Sequence, residues 1–239
     1  MSLEKAKDIL LHQVPCELFA AHNAFGIYAA LGSQAQYLNA TRWCQLLGII
    51  QLQSLGSMIL SVSKIFEPVK KKYSNYSIPT ALELISKDCE NLQVSPINCV
   101  KLFDFITANE SQPLPVTADT GMLRDRALKM IREQCPQCPV RPTHRLDEAF
   151  KAVKVVRDKQ VAHHEDHALS ELSSPDSNAI QDLLAFAQTT VDVIGFGFFG
   201  FSMRSAALRA DFAPDRAQTW QKALELTDRL GRREQKNGQ

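Results

Sequence analysis

Apolar residues recur three and four positions apart along most of the chain, with few interruptions, and this spacing predicts helices. Residues 3–38 read as one or two helices broken near Gly32 and Ser33. Residues 41–67 read as one long helix capped by Thr41, with a single face made of Leu52, Leu55, Ile59, Val62 and Phe66. Pro68 and the run Lys70, Lys71, Lys72 end it, and the lysines suit the negative end of the helix dipole. Shorter helices are expected at 79–90, 96–108 and 120–134. The segments 109–119 and 135–142 carry prolines and read as connections. Thr143 caps a helix running from 144 to about 163. Ser174-Pro175-Asp176 opens the next, with proline in its first turn and the stripe Ile180, Leu184, Ala187, Val191, Ile194, Phe198, Phe201. A last helix is expected at 215–230, before a polar tail at 231–239. No segment alternates with the strand period. The expected fold class is all-α, a bundle of long antiparallel helices forming one domain over 1–239.

Composition narrows the picture. The 239 residues are 45% hydrophobic and 22% charged, enough to bury a core. A net charge of +1, from 27 basic and 26 acidic side chains, excludes a uniformly basic nucleic-acid binder but leaves room for a local site. The six cysteines (Cys16, Cys44, Cys89, Cys99, Cys135, Cys138) lack the density of a secreted disulfide framework. Without an apolar leader at the N-terminus, they are expected to be reduced thiols in a cytoplasmic protein. Between Leu18 and Ser63 the only formal charge is Arg42. That run also carries Gln34, Gln36, Asn39, Gln45, Gln51 and Gln53, whose amides are costly in lipid. No membrane span is therefore expected; helices buried inside the protein or between subunits are.

Two segments offer chemistry. Cys135-Pro-Gln-Cys138 is half of a zinc motif, with His144 as the only nearby third ligand, and structural zinc needs four. No metal or other cofactor is expected. The second segment runs from Arg157-Asp158-Lys159 to Ala162-His163-His164 and holds two of the six histidines, with His167 close behind. The stripe Leu146, Phe150, Val153 leading into it continues onto Arg157, Gln160 and His164. The core-facing side of that helix thus turns polar at its end, and polar groups at a core edge or subunit seam need partners. Six residues turn an ideal helix through ~600°, so His163 points ~120° away from Arg157, whereas His164 returns to nearly the same direction. His163 joins Arg157 only if the helix unwinds near Ala162 or a second subunit supplies one of the two. An imidazole can take or give a proton at neutral pH, and a guanidinium forks onto phosphate oxygens. Together they suit metal-independent RNA cleavage by the 2′-hydroxyl. Arg141, Arg145, Arg204 and Arg209 are candidates to extend a basic cleft.

The string Arg-Asp-Lys-x-x-Ala-His resembles the arginine-to-histidine motif of the HEPN superfamily (higher eukaryotes and prokaryotes nucleotide-binding), most closely its abortive-infection branch. Ser57–Tyr73 also resembles the long early helix of that branch. The resemblance implies an α-helical bundle that pairs as a homodimer, with two motifs meeting between subunits. It implies that Arg157 is the motif arginine, Asp158 its polar neighbour and His163 the motif histidine, with His164 a duplicate. Many members are metal-independent endoribonucleases of toxin–antitoxin or phage-defence systems, so RNA or a nucleotide and a cognate antitoxin are the implied partners. Other members keep the fold and only bind nucleotides or scaffold other proteins. A non-catalytic module, with Arg157 simply bridging to a carboxylate, is the alternative.

Overall fold

The computed structural model describes residues 2–69, 75–92, 94, 96–109, 119–136, 145–158, 176–201, 221–226 and 229. Among these residues there is no strand, and the all-α class holds. The helices are α1 (Ser2–Asp8), α2 (Val14–Ser33), α3 (Ala35–Leu38), α4 (Cys44–Ile65), α5 (Ile78–Lys87), α6 (Pro96–Asn109), α7 (Thr120–Gln134), α8 (Arg145–Val156) and α9 (Ser177–Phe199). A π-helical stretch, Ile9–Gln13, joins α1 to α2. Its cause is Pro15, which has no N–H to donate and whose ring crowds the carbonyl one turn back; the wider turn makes room. The break expected near Gly32 and Ser33 falls at Gln34.

The charge-free run folds back on itself. Glu17 near the start of α2 pairs with Lys64 near the end of α4 at 2.8 Å, and the Gln51 amide donates to the Tyr28 carbonyl at 3.3 Å. These two links set α2 and α4 antiparallel, and theirs is the most extensive helix pairing among the described elements. The hairpin has two halves. Buried residues of α2 as far as Phe25, and of α4 from Leu55 onward, join the main core with α5 to α9. Beyond them, Leu31, Leu38 and Leu47 form a separate small cluster with Ile27, Trp43 and Ile50.

Two expectations about α4 need correction. Thr41 does not cap it: the helix starts after Trp43, and Thr41 instead caps the preceding turn, donating to Leu38 and accepting from the Trp43 N–H. Leu52 does not share the buried face. Leu55, Ile59, Val62 and Phe66 are buried, but Leu52 lies where no other described element covers the hairpin and is 43% exposed.

The remaining helices close over this base. Ser77 caps α5 and donates to the Glu67 carbonyl, tying α5 to the end of α4. Asp119 caps α7 through the Met122 N–H at 2.7 Å. Asp176, not a proline turn, caps α9 through the Asn178 N–H at 3.0 Å; Pro175 lies outside the described residues. The α9 stripe from Ile180 to Phe198 is buried throughout, as its spacing predicts. That helix ends at Gly200, whose φ of 72° is the left-handed conformation suited to glycine, with the Phe201 N–H returning to the Gly195 carbonyl. Phe66 joins three helices: its ring meets Phe150 of α8 edge-on at 5.9 Å and stacks on Phe186 of α9 at 6.1 Å.

Two helices, α4 and α9, are long and apolar enough to cross a membrane, with 44% and 61% of their apolar windows buried within the chain.

Candidate functional site

The motif arginine lies at the end of α8. Leu146, Ala149, Phe150, Val153 and Val156 bury the inner face of that helix, so the apolar stripe holds up to the last turn. Arg157 and Asp158 follow in π-helical geometry rather than α. A π turn takes up an extra residue. The straight-helix projection that favours His164 over His163 therefore ends at Arg157. Both side chains are partly buried, at the edge of the core where the continued stripe places Arg157.

The pair has a definite geometry. Arg157 donates to a single oxygen of Asp158, Oδ1, from Nε at 2.8 Å and from Nη2 at 2.6 Å. A guanidinium has five N–H donors. Asp158 holds one side of the fork, and among the described residues nothing engages the edge shared by Nη1 and the second Nη2 hydrogen. That edge matches two phosphate or carboxylate oxygens. His163 and His164 lie outside the described residues, as does Lys159.

Of the arginines expected to widen a basic cleft, Arg145 begins α8 and pairs with Asp182 of α9 at 2.5 Å. Its charge thus ties two helices together. Arg141, Arg204 and Arg209 lie outside the described residues, as do Lys70, Lys71, Lys72 and Cys138. Cys135 is buried with a free thiol. Among the described residues no three metal-ligating side chains converge.

The spacing of the sequence gave no sign of a second polar cluster, which forms where α7 meets the end of α5. Arg124 Nε donates to Asp125 at 2.7 Å, its Nη1 donates to the Leu92 carbonyl at 3.3 Å, and the Cys89 thiol donates to Asp125 at 3.2 Å. An open depression beside it is lined by Ser86, Cys89, Asp125, Lys129 and Arg132. The hydrogen bond from Arg124 holds the Asp125 carboxyl below its usual range, against the opposing effect of burial. Burial and the bond to Asp125 push the Cys89 thiol up. A cysteine nucleophile needs the opposite shift. The cluster is an internally satisfied brace between α7 and the segment after α5, not a reactive centre.

No protein-family model, curated protein or solved structure matches this chain.

Proposed function

We propose that this chain is a metal-independent endoribonuclease of the HEPN type, cutting RNA where Arg157 and His163 meet. Arg157 holds the scissile phosphate and stabilises the charge that gathers on it. Asp158 positions the guanidinium. His163 takes the proton from the 2′-hydroxyl as its oxygen attacks phosphorus, and a protonated imidazole returns a proton to the departing 5′-oxygen. His164 is the alternative holder of that role. The product is a 2′,3′-cyclic phosphate. General acid–base help is worth ~10²–10⁴ in rate. A preorganised charge at the phosphate contributes a further ~10²–10³.

The observation that supports this most is the orientation of Arg157. Its Nε side is held by Asp158, while its forking edge is left open by the described residues, at the end of an otherwise apolar inner face. A purely structural arginine would spend its fork on the carboxylate. The homodimer implied by the motif resemblance belongs to the same proposal, with one subunit's motif facing its copy. The competing reading, a helical module that binds without cutting, draws on the Arg157–Asp158 pair being self-sufficient.

Purified protein incubated with RNA in excess chelator decides between them. Cleavage to cyclic-phosphate ends is expected, lost in Arg157→Ala and in His163→Ala with helicity retained. Loss in His164→Ala instead moves the role of base to that residue. Equal cleavage by all three variants and the parent, or none by the parent, overturns the proposal.

A further inference from the structure

The distal half of the α2–α4 hairpin leaves an apolar face uncovered. Leu46, Ile49, Leu52 and Leu60 of α4 are 50%, 53%, 43% and 38% exposed. At 100° per residue, Gln45, Leu46, Ile49, Gln53, Gly56 and Leu60 fall within about 100° of one another, and Leu52 borders them. The face carries no formal charge before Lys64. The one charge in the distal half, Arg42, sits at the turn with its guanidinium 5.0 Å from the Trp43 ring centre. Beneath lies only the small cluster around Leu31, Leu38 and Leu47.

Gly56 is a second, separate observation. A Cβ built there meets no described atom within 4 Å, and its φ is not in the left-handed region. Nothing in this chain's own packing calls for glycine at that point, although glycine inside a helix costs ~0.5–1 kcal/mol relative to alanine. At the centre of an exposed face, its use is to let another backbone come close.

We infer that this α4 face is a self-pairing surface whose occupant is the same face of a second copy of the chain, related by a two-fold axis. The charge pattern selects that occupant. Two identical faces of one sign would repel, and a charged partner would bury charges against a surface with none to offer. An uncharged face meets its own copy at neither cost. The exposed Gln45 and Gln53 point the same way: an amide is both donor and acceptor, so a copy across a two-fold satisfies it. Lipid does not. The inference stands apart from the nuclease reading, because a dimer that cuts no RNA leaves it intact.

Sedimentation equilibrium on the full chain tests it. A dimer is expected at micromolar concentration. The paired variant Ile49→Glu with Gly56→Glu, at exposed positions, is expected to weaken it at least about a hundredfold with helicity unchanged. The variant with lysine at both positions is expected to do the same. Mixing the acidic and basic variants is expected to restore a dimer containing one of each, which mere damage to the fold could not produce. A monomeric parent, or a dimer indifferent to both variants, overturns the inference. So does a monomeric parent that floats with neutral phosphatidylcholine vesicles and stops floating in the acidic variant, which would assign the face to lipid.

Discussion

Arg157→Lys separates chemistry from stability at the motif. Two guanidinium N–H groups reach one oxygen of Asp158, at 2.8 and 2.6 Å. The side chains are 26% and 44% exposed, so water screens the pair. Ion pairs of that kind contribute ~0.2–1 kcal/mol, and lysine keeps the charge. For a chain of this size, 1 kcal/mol moves the melting temperature by roughly 2–4 °C, which bounds the expected fall at about 4 °C. Activity should respond on a different scale. Lysine offers a point charge on a flexible stem and no planar fork. Losing one preorganised donor to a developing oxyanion costs ~10²–10³ in rate. The assay is single-turnover cleavage of end-labelled RNA in excess chelator, with a thermal melt on the same sample. A variant that melts within about 4 °C of the parent and cuts at least ~10²-fold more slowly is expected. Undiminished cutting would refute the idea that the open edge of the guanidinium holds phosphate. A melt lowered by about 10 °C or more would refute the view that the pair is peripheral to the core.

Two further substitutions probe the fold. At Gly197 a Cβ would lie 2.8 Å from Cγ of the fully buried Leu102, whereas at Gly48 it would meet no described atom. Alanine gains ~1 kcal/mol of helix propensity at either site, and only Gly197→Ala adds overpacking of ~1–3 kcal/mol. Urea denaturation should therefore rank Gly48→Ala above Gly197→Ala by about that overpacking cost, and equal midpoints would contradict the close approach of α6 to α9. The carboxyl of Asp125 is depressed, chiefly by the bond from Arg124. Its stabilisation is present above the unfolded value near ~3.9 and is lost as pH falls through the lower folded value. Asp125→Asn should flatten the loss of stability on acidification below about pH 4, and an unchanged slope would sink that account.

What was legible in the sequence follows from what kind of force sets each feature. The α9 stripe was legible end to end because that helix is buried along its length, so spacing and packing agree. The stripe of α4 was legible only from Leu55 onward, since there the helix lies in the core. Leu52 obeys the same spacing and is exposed because nothing among the described residues reaches it, a tertiary fact that periodicity does not encode. Thr41 and Pro175 misled for a local reason: a capping residue type three positions early can serve a turn instead of the helix. At the site, continuing the α8 stripe placed Arg157 correctly at the core edge. The π geometry there was not legible, because hydrogen-bond register depends on the backbone that follows. The brace of Cys89, Arg124 and Asp125 joins residues 36 positions apart and leaves no local trace.

The uncharged run from Leu18 to Ser63 carries the most consequential ambiguity, and the hairpin divides it. Its base answers to the core: Phe66, just past α4, is fully buried between Phe150 and Phe186. Its distal half does not, and keeps Ile49 and Gly56 on an open face. One helix therefore touches both features that bear on function. From Gly56 to Phe66 is ten residues, ~15 Å of rigid helix, and Phe150 lies seven residues, about two turns, before Arg157. A second copy seated on the α4 face would thus hold its own α8 at a fixed distance from this one, through helix and ring contacts with no loop between. That arrangement gives a reason for the run to lack charge along its whole length: the base must be apolar to pack inside, and the distal half must be neutral to meet its own image.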